Sequence, residues 1–245
     1  MTEPRRALVT GGGSGVGAVI AATFAGAGIE TVICGRRAEA LERVASGHAL
    51  IQSRRCDITD ETQIAELFAL AGPFDIVIAN AGASESAPFA KTTLDSFRHM
   101  VDVNLTGTFL TLREGARTMT AGGRLIAIAS TAGLKGYSYV APYAAAKHGV
   151  IGLIRSIAQE YARKGITANA VCPGFLDTEM TERSIAHIMA KTGRSEQDAR
   201  AQLAATNPMH RLVPPQDVAD AVMWLCGAGS AMVTGQAISV SGGEI

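Results

Sequence analysis

Several features that would define other classes of protein are missing from this sequence. Its four cysteines, Cys34, Cys56, Cys172 and Cys226, show no Cys-x-x-Cys spacing, and its five histidines are not clustered. Zinc sites and disulfide frameworks depend on such spacing, so we expect neither. Scattered cysteines are typical of reduced, buried thiols, which predicts a cytoplasmic protein.

Long apolar runs and an excess of one charge are also missing. No run approaches the roughly 18 residues of a membrane span. The pair Arg5 and Arg6 is followed by too short an apolar run for a secretory signal. Lysine plus arginine equal aspartate plus glutamate, at 22 each. Because no net charge attracts nucleic acid or an anionic membrane, the expected partner is a small molecule.

What the chain does contain is a regular alternation of strand-like and helix-like segments over 245 residues, enough for one large α/β domain. Apolar runs predict strands at residues 7–9, 31–34, 49–54, 75–78, 124–129 and 166–171. Helical patterns occupy residues 18–27, 38–44, 61–70, 94–118 and 142–163. The alternation predicts a parallel, doubly wound sheet with helices on both faces, which binds ligands beyond the carboxyl ends of its strands.

A glycine-rich turn follows the first predicted strand and opens the first predicted helix. It contains Gly11, Ser14, Gly15, Val16 and Gly17. Glycines permit a tight turn and let backbone N–H groups approach a pyrophosphate at the positive end of a helix. The context of strand, turn and helix therefore predicts a phosphate cradle for a dinucleotide.

The residues after the second strand bear on which dinucleotide is bound. In dinucleotide folds an acidic residue about 20 positions beyond the glycine turn accepts hydrogen bonds from the NAD ribose, whereas arginine suits a 2′-phosphate. Here the acidic residue is missing, and Arg36 and Arg37 follow the strand. Guanidinium groups pair with phosphate in bidentate geometry, so NADP(H) is favoured. If both arginines are only solvated loop residues, NAD(H) remains possible.

Tyr143 and Lys147 lie four residues apart in the predicted helix that begins near Pro142. They therefore project from one face of the helix, one turn apart. A nearby ammonium group and the positive end of the helix are expected to lower the pKa of Tyr143, which suits an acid and base near neutral pH. The alternative is a surface tyrosine beside a solvated lysine.

In these motifs the chain resembles the classical short-chain dehydrogenases/reductases over essentially its whole length. The resemblance is carried by Thr10, Gly11, Gly15, Gly17, the turn Asn80-Ala81-Gly82, Asn104, Ser130, Tyr143, Lys147, Pro173, Gly174 and Thr178. It implies a single Rossmann-type domain over residues 1–245 with a seven-stranded sheet. One departure is Ala79, where the family usually has a second asparagine; Asn80 is expected to make the structural hydrogen bonds.

The resemblance also implies a role for each matching residue. Tyr143 would be the acid and base, Ser130 would orient and polarise the substrate oxygen, and Lys147 would hold the nicotinamide ribose. Asn104 would hold a water molecule in a proton relay from Lys147. The remaining cofactor contacts implied by the resemblance are Asp57 and Ile58 at the adenine, Asn80, Ala81 and Gly82, and Pro173, Gly174, Leu176 and Thr178 at the carboxamide side.

Within the family, the chain looks most like 3-oxoacyl-thioester reductases and aromatic polyketide ketoreductases. Residues 178–209 would form a lid over the substrate, and Ala132, Tyr137 and Phe175 are candidates for the pocket wall. The lid charges, Arg183, Lys191, Arg194 and Arg200, either meet a phosphopantetheine or CoA phosphate or form a solvated helix face.

The helix that carries Tyr143 continues with apolar residues on more than one side. They are Val150, Ile151, Leu153, Ile154, Ile157, Ala158 and Tyr161. A helix of this kind needs more than the core of its own domain to cover it. In the family the corresponding helix packs against a second subunit, so we expect a symmetric dimer or, in preference, a homotetramer.

Three functions fit these observations. The favoured one is reduction of a ketone, or of a 3-oxoacyl group on CoA or an acyl carrier protein, by NADPH. The second is an NAD-dependent secondary alcohol or 3-hydroxyacyl-CoA dehydrogenase. The third, from another class, is a nucleotide sensor without catalysis, which would have no reason to retain Asn104, Ser130, Tyr143 and Lys147 together.

Overall fold

The computed structural model describes residues 5–245 and arranges them around one sheet of seven parallel strands. The strands are β1 Arg6–Thr10, β2 Glu30–Gly35, β3 Ile51–Arg55, β4 Ile76–Ala79, β5 Arg124–Ile128, β6 Thr167–Pro173 and β7 Ala237–Val240. Their order across the sheet is β3-β2-β1-β4-β5-β6-β7. The predicted parallel, doubly wound sheet is confirmed.

Helices connect the strands and cover the sheet. They are α1 Gly15–Gly26, α2 Ala38–Ser46, α3 Glu61–Ala71, α4 Leu94–Val101, α5 Gly107–Thr118, α6 Ala141–Tyr161, α7 Glu179–Thr192, α8 Glu196–Ala204 and α9 Pro215–Cys226. Every residue of β4, β5 and β6 is buried, as expected for strands with helices on both sides. No helix within residues 5–245 has the length and apolarity needed to cross a membrane.

The alternation of side chains along β1 shows how one strand supplies two cores. Leu8 packs with residues of α3, α5 and α6 on one face of the sheet. Its neighbours Ala7 and Val9 point the other way and pack with residues of α1 and α9. Successive side chains of a strand point to opposite faces, so a short, fully apolar run is what a sheet between two helix layers requires.

The strand order also fixes where a ligand can bind. From β1 the chain runs outward to β2 and β3, then crosses back to place β4 on the other side of β1. The connections after β1 and β4 therefore leave in opposite directions and open a crevice at the carboxyl ends of these two strands. The glycine-rich turn and Asn80 both lie at this crevice.

The predicted helix over residues 94–118 is interrupted. The structure has α4, one π-helical turn at Asp102–Thr106, and then α5. In the π-turn the Asn104 side chain donates from Nδ2 to the carbonyl oxygen of Met100 at 3.0 Å. That oxygen is the one an α-helix would pair with the backbone N–H of Asn104. A side-chain bond to this oxygen accompanies the interruption, which apolar periodicity did not reveal.

Candidate active site

The glycine-rich turn has the close backbone approaches that its sequence predicts. Gly11 and Gly15 have positive φ angles of 68° and 53°, which favour glycine. At Gly17 a Cβ atom would lie 2.4 Å from Asn80 Nδ2 and 2.5 Å from the carbonyl oxygen of Gly11. The first turn of α1 thus packs directly on the neighbouring loop, and the turn as a whole lines the crevice.

Asn80 and Thr10 join the ends of β4 and β1. Asn80 Nδ2 donates to the carbonyl oxygen of Thr10 at 2.8 Å, and Thr10 Oγ1 accepts from the backbone nitrogens of Asn80 at 3.0 Å and Ala81 at 3.1 Å. These are the structural bonds expected of Asn80. Ala79 is buried among apolar side chains, so an asparagine at that position is not needed for this junction.

Arg36 and Arg37 flank the glycine turn from the end of β2. Both side chains are exposed and line the same cleft as the turn. Arg37 Nη2 donates to Ser14 Oγ at 2.9 Å, which places its guanidinium group at the first helical turn of α1. Asp57 and Ile58, after β3, line the cleft beside them. This end of the cleft therefore presents two guanidinium groups, and their contact with a dinucleotide stays a prediction.

Tyr143 and Lys147 lie one turn apart near the start of α6, which begins at Ala141 rather than at Pro142. Lys147 Nζ is 5.6 Å from the centre of the Tyr143 ring and donates to the carbonyl oxygen of Ile128 at 2.9 Å. Lys147 is only 4% exposed. The alternative of a solvated surface lysine is therefore wrong.

Burial dominates the acid–base properties of this pair. It raises the pKa of Tyr143 above the ordinary value, although a hydrogen bond with the Ser130 side chain opposes the rise. Burial also lowers the pKa of Lys147 to about 8. The predicted lowering of the Tyr143 pKa is wrong in direction, because removing the phenolate from water outweighs the hydrogen bond with Ser130.

Ser130 is fixed at the end of β5 by the turn that follows it. Its Oγ accepts from the backbone nitrogen of Ala132 at 3.1 Å and caps a short 3-10 turn, Thr131–Gly133. Gly133 packs against α6, where a Cβ atom would lie 2.7 Å from the carbonyl oxygen of Lys147. The loop with Ser130 and the helix with Tyr143 are therefore held together by backbone contact.

Asn104 is fully buried and fastens the loop after β4. Its Nδ2 donates to the carbonyl oxygen of Ala83 at 2.9 Å, and its Oδ1 accepts from the backbone nitrogen of Ala83 at 3.3 Å. A Cβ atom at Gly82 would lie 2.8 Å from Asn104 Oδ1 and 3.7 Å from Lys147 Nζ. Glycine at position 82 thus allows Asn104, the loop and Lys147 to meet, and the role of Asn104 in a water relay stays a prediction.

The turn after β6 forms the opposite wall. Thr178, at the start of α7, lies beside the glycine turn, with its Cγ2 atom 3.7 Å from the position of a Cβ atom at Gly15. Leu176 forms an isolated parallel bridge with Val213. Phe175 packs edge-to-face on Tyr137, with ring centres 6.3 Å apart. These two aromatic rings line the cleft together with Ser130 and Tyr143.

All these segments line one cleft of about 1290 Å³. The sequence-predicted residues along it are Gly11, Ser14, Gly15, Val16, Gly17, Arg36, Arg37, Asp57, Ile58, Asn80, Ala81, Gly82, Asn104, Ser130, Ala132, Tyr137, Tyr143, Lys147, Pro173, Gly174, Phe175, Leu176 and Thr178. The fold thus brings together residues from the turn after β1 to the residue before α7, and their individual roles remain predictions.

The charges of the lid region behave in two different ways. Arg183 and Lys191 on α7 line the cleft. Arg200 instead pairs with Asp177 and Glu182, and Arg194 donates to Gln202. The four cations therefore do not form one anion-binding face.

Sequence reasoning missed the residues that support the aromatic wall. Glu244, near the carboxyl terminus, accepts from Tyr137 Oη at 2.5 Å and pairs with Lys135 Nζ at 3.1 Å. Glu244 and Tyr137 are 107 positions apart, and no local pattern signals their contact. Within residues 5–245 there is no group of three or more His, Cys, Asp or Glu side chains that could hold a metal ion.

A glycine-rich turn at a sheet switch point, with a half-buried tyrosine, a buried lysine and a half-buried serine in the same cleft, is typical of nucleotide-dependent oxidoreductases. Residues 11–244 match the family described as enoyl-(acyl carrier protein) reductase. The chain belongs to the short-chain dehydrogenase/reductase family.

Two relatives and one solved structure are similar to this chain over nearly their whole length. A Streptomyces coelicolor protein assigned as a ketoacyl reductase is 36% identical, covering 97% of this chain and 95% of its own length. The cis-4-hydroxycyclohexanecarboxylate dehydrogenase of Sinomonas cyclohexanicum is 36% identical, covering 98% and 96%. The structure of a tryptophan-substituted variant of actinorhodin polyketide ketoreductase with NADPH superposes with a TM-score of 0.89 at 35% identity, covering 99% and 97%.

Proposed function

We propose that this oxidoreductase is an NADP(H)-dependent ketone reductase whose substrates are 3-oxoacyl thioesters or related ketones. The observation that carries the proposal is the placement of Ser130, Tyr143 and Lys147 in the same cleft as the glycine turn. The ketoacyl reductase and polyketide ketoreductase among its relatives support the direction and the substrate class.

The residues of the cleft fit a phosphorylated dinucleotide. The backbone of the glycine turn offers N–H groups at the start of α1, and the exposed cations Arg36 and Arg37, which line the same cleft, would pair with a ribose 2′-phosphate. When bound, the nicotinamide would supply a hydride to the carbonyl carbon. Thr178, Pro173 and Gly174 would hold the nicotinamide end from the wall opposite Tyr143.

Tyr143 is suited to give a proton to the substrate oxygen. That oxygen gains negative charge as hydride arrives, and a donor aimed at it stabilises the transition state. Because burial raises the pKa of Tyr143, the phenol keeps its proton at neutral pH and can donate it. Ser130 would hydrogen-bond to the same oxygen. Lys147, fixed by the carbonyl of Ile128, would hold the nicotinamide ribose beneath them.

The second candidate is a dehydrogenase that oxidises a secondary alcohol or a 3-hydroxyacyl-CoA with NAD. The hydroxycyclohexanecarboxylate dehydrogenase among the relatives favours it. The same residues would serve, with Tyr143 accepting the proton. A nucleotide sensor without catalysis is the third candidate, and the retention of Asn104, Ser130, Tyr143 and Lys147 in one cleft argues against it.

A substrate panel separates these candidates. Acetoacetyl thioesters, aryl ketones, cyclic ketones and sugars would be tested with NADPH and NADH, and the corresponding alcohols with NADP and NAD. We expect NADPH oxidation with at least one ketone. Turnover only of alcohols with NAD would support the dehydrogenase, and binding of NADPH without turnover of any substrate would support the sensor.

The Tyr143→Phe variant tests the proposed acid directly. Loss of one proton donor is expected to reduce kcat by about 10²- to 10⁴-fold, the usual contribution of general acid catalysis. NADPH affinity, measured by fluorescence titration, should stay close to that of the wild type. The exposed Tyr139 would not serve as a control because it also lines the cleft, so Tyr161→Phe at the end of α6 is the matched variant. Turnover retained in Tyr143→Phe would remove this residue from its role.

The organisation of the protein completes the proposal. We propose that residues 1–245 act as one domain in which 178–209 is the substrate lid, since this segment contributes Thr178, Arg183 and Lys191 to the cleft. A homotetramer in the cytoplasm is proposed as well. The four cysteines are free and buried, which fits a reducing compartment.

A further inference from the structure

Glu244 is a buried carboxylate beside the aromatic wall of the cleft. Its side chain is only 1% exposed, although the next residue, Ile245, is exposed. Oε1 accepts from Tyr137 Oη at 2.5 Å and lies 3.1 Å from Lys135 Nζ. Burying a carboxylate is costly unless it is paired and hydrogen-bonded; Oε1 has both kinds of partner, whereas the buried Oε2 has no hydrogen-bond partner within residues 5–245.

The hydrogen bonds around Tyr137 have a fixed direction. Tyr137 Oη lies 2.6 Å from Thr131 Oγ1 as well as 2.5 Å from Glu244. An ionised carboxylate only accepts, so the single phenol proton goes to Glu244, and Thr131 donates to the phenol oxygen. Burial and the bond to Glu244 raise the pKa of Tyr137 far above its ordinary value. The hydroxyl group is thus fully engaged by the protein.

Glycines allow the carboxyl-terminal segment, residues 242–244, to bring Glu244 into contact with Tyr137. Gly242 and Gly243 have positive φ angles of 63° and 88°, which turn the segment back toward the cleft. A Cβ atom at Gly242 would lie 2.8 Å from Asn207 Oδ1. A Cβ atom at Gly174 would lie 3.1 Å from Glu244 Oε2. Glycines on both sides of the contact let the segment and the turn after β6 close on the carboxylate.

With its hydroxyl engaged, Tyr137 presents its ring to the cleft. The ring packs edge-to-face on Phe175 with an interplanar angle of 88°. Lys135 Nζ, which pairs with Glu244, lies 5.0 Å from the centre of the Tyr137 ring. Both rings line the cleft. The wall that they form is therefore aromatic rather than hydrogen-bonding.

We propose that Glu244 is a positioning residue that holds the Tyr137 ring against Phe175, and that the wall so formed selects ketones with a ring or another flat apolar group. This proposal rests on the proposed reductase function for its substrate class. The arrangement of Glu244 and Tyr137 is independent of that function. Aromatic rings that are fixed in orientation should bind flat substrates more tightly than others, because aromatic groups pack edge-to-face or offset-stacked on each other.

Kinetics of three variants test the substrate class. Glu244→Gln, Tyr137→Phe and the double variant would be compared with an aryl ketone and with a small aliphatic acetoacetyl thioester, using NADPH. Glu244→Gln replaces the charge-assisted bond from Tyr137 by a weaker neutral one, and Tyr137→Phe removes the bond; losing the charge assistance corresponds to up to about a tenfold change. We expect KM for the aryl ketone to rise about tenfold in each single variant, and no further in the double variant. The kcat, the NADPH affinity and KM for the aliphatic substrate should change little.

Two outcomes would overturn the proposal. If the tyrosine hydroxyl bound the substrate itself, Tyr137→Phe would raise KM while Glu244→Gln left it unchanged. If Glu244 only supported the fold, Glu244→Gln would lower the melting temperature and NADPH affinity and affect all substrates equally. Glu66→Gln, an exposed carboxylate on α3, is the matched control and should match the wild type in every measurement.

A spectroscopic measurement tests the contact without catalysis. The chain has four tyrosines, and phenolate absorbance against pH counts those that ionise while the protein stays folded. In Glu244→Gln one tyrosine should titrate at a lower pH than in the wild type, because the bond to the carboxylate is lost while burial still raises the pKa of Tyr137, and adding Tyr137→Phe should remove that titration. Identical titrations of wild type and Glu244→Gln would refute the contact. If no ketone is reduced, the reductase function fails while this result still decides the role of Glu244.

Discussion

At Lys147 the fold and the chemistry place opposite demands on one side chain. Burial against the carbonyl of Ile128 lowers the pKa of the amine to about 8 from an ordinary value of 10.5. A cationic amine suits the binding of a ribose and the stabilisation of a phenolate. The same cation is disfavoured by its buried position, so the site holds a charge at the expense of stability.

This conflict makes the stability of the protein depend on pH in a defined direction. The folded-state pKa lies below that of the unfolded chain, so between about pH 8 and 10.5 the unfolded state binds more protons. Stability contributed by this residue therefore rises with pH across that window and is absent below it.

The variant Lys147→Met removes that contribution, and groups that do not interact with Lys147 titrate alike in both proteins. The free energy of unfolding of the wild type, relative to Lys147→Met, should increase by about 2 kcal/mol between about pH 7.5 and pH 9.5. Urea denaturation of both proteins at the two pH values measures the difference. A constant difference would show that Lys147 has the same pKa in the folded and unfolded chains.

The two arginines after β2 give a second test at the residue scale. If they hold a 2′-phosphate, Arg36→Ala with Arg37→Ala should weaken NADPH binding by about 10- to 100-fold, as expected for charge-assisted bonds to phosphate. NADH lacks that phosphate, so its affinity should be nearly unchanged. Arg43→Ala, on α2 outside the cleft, is the control. Equal affinities of the wild type for NADPH and NADH would contradict the cofactor assignment.

At the scale of elements, the start of α1 shows how packing and binding share the same residues. Gly17 lies in the first turn of α1, where its lack of a side chain lets the helix contact Asn80 and Gly11. Helix, glycine turn and the end of β4 are therefore positioned by one contact. Movement of α1 would open that contact and displace the N–H groups at the start of the helix.

The variant Gly17→Ala should separate this contact from ordinary helix propensity. Its methyl group would lie within 2.5 Å of neighbouring atoms, and overpacking of this kind costs about 1–3 kcal/mol. We expect a lower melting temperature and roughly tenfold weaker NADPH binding, since 1.4 kcal/mol is about a factor of ten. Gly26→Ala, at the other end of α1, meets no atom within 4 Å and should not weaken binding. Equal behaviour of the two variants would argue against a close approach at Gly17.

Sequence alone was enough where a local pattern decides the structure. The apolar run that becomes β4, the glycines before α1 and the order of strands and helices follow from short-range rules. The π-turn at Asn104 did not, because it depends on a buried side-chain bond within a continuous apolar pattern. The direction of the Tyr143 pKa shift and the contact of Glu244 with Tyr137 depend on burial and on residues distant in the chain.

At the scale of the whole molecule, part of the apolar surface of α6 is accounted for by its own core. Val150, Ile151 and Ile154 are buried in the core cluster on one face of the sheet. The apolar face of α6 that this core leaves uncovered is therefore narrower than the sequence predicts. Leu153 and Ile157 are only half-buried. On α5, Phe109 is 40% exposed. A remaining apolar face of this kind is what a subunit contact would cover.

We therefore predict that the protein sediments as a homotetramer at micromolar concentration, with four times the mass of the 25.4 kDa chain. Replacing Ile157 by glutamate should shift it to smaller species, because an unpaired charge in an apolar interface is costly to bury. Ser156→Glu, exposed on the same helix, is the control for charge alone. Since α6 also carries Tyr143 and Lys147, dissociation should reduce turnover along with mass. If the wild-type protein sediments as a monomer, no second subunit covers Leu153 and Ile157, and the predicted contact through α6 is wrong.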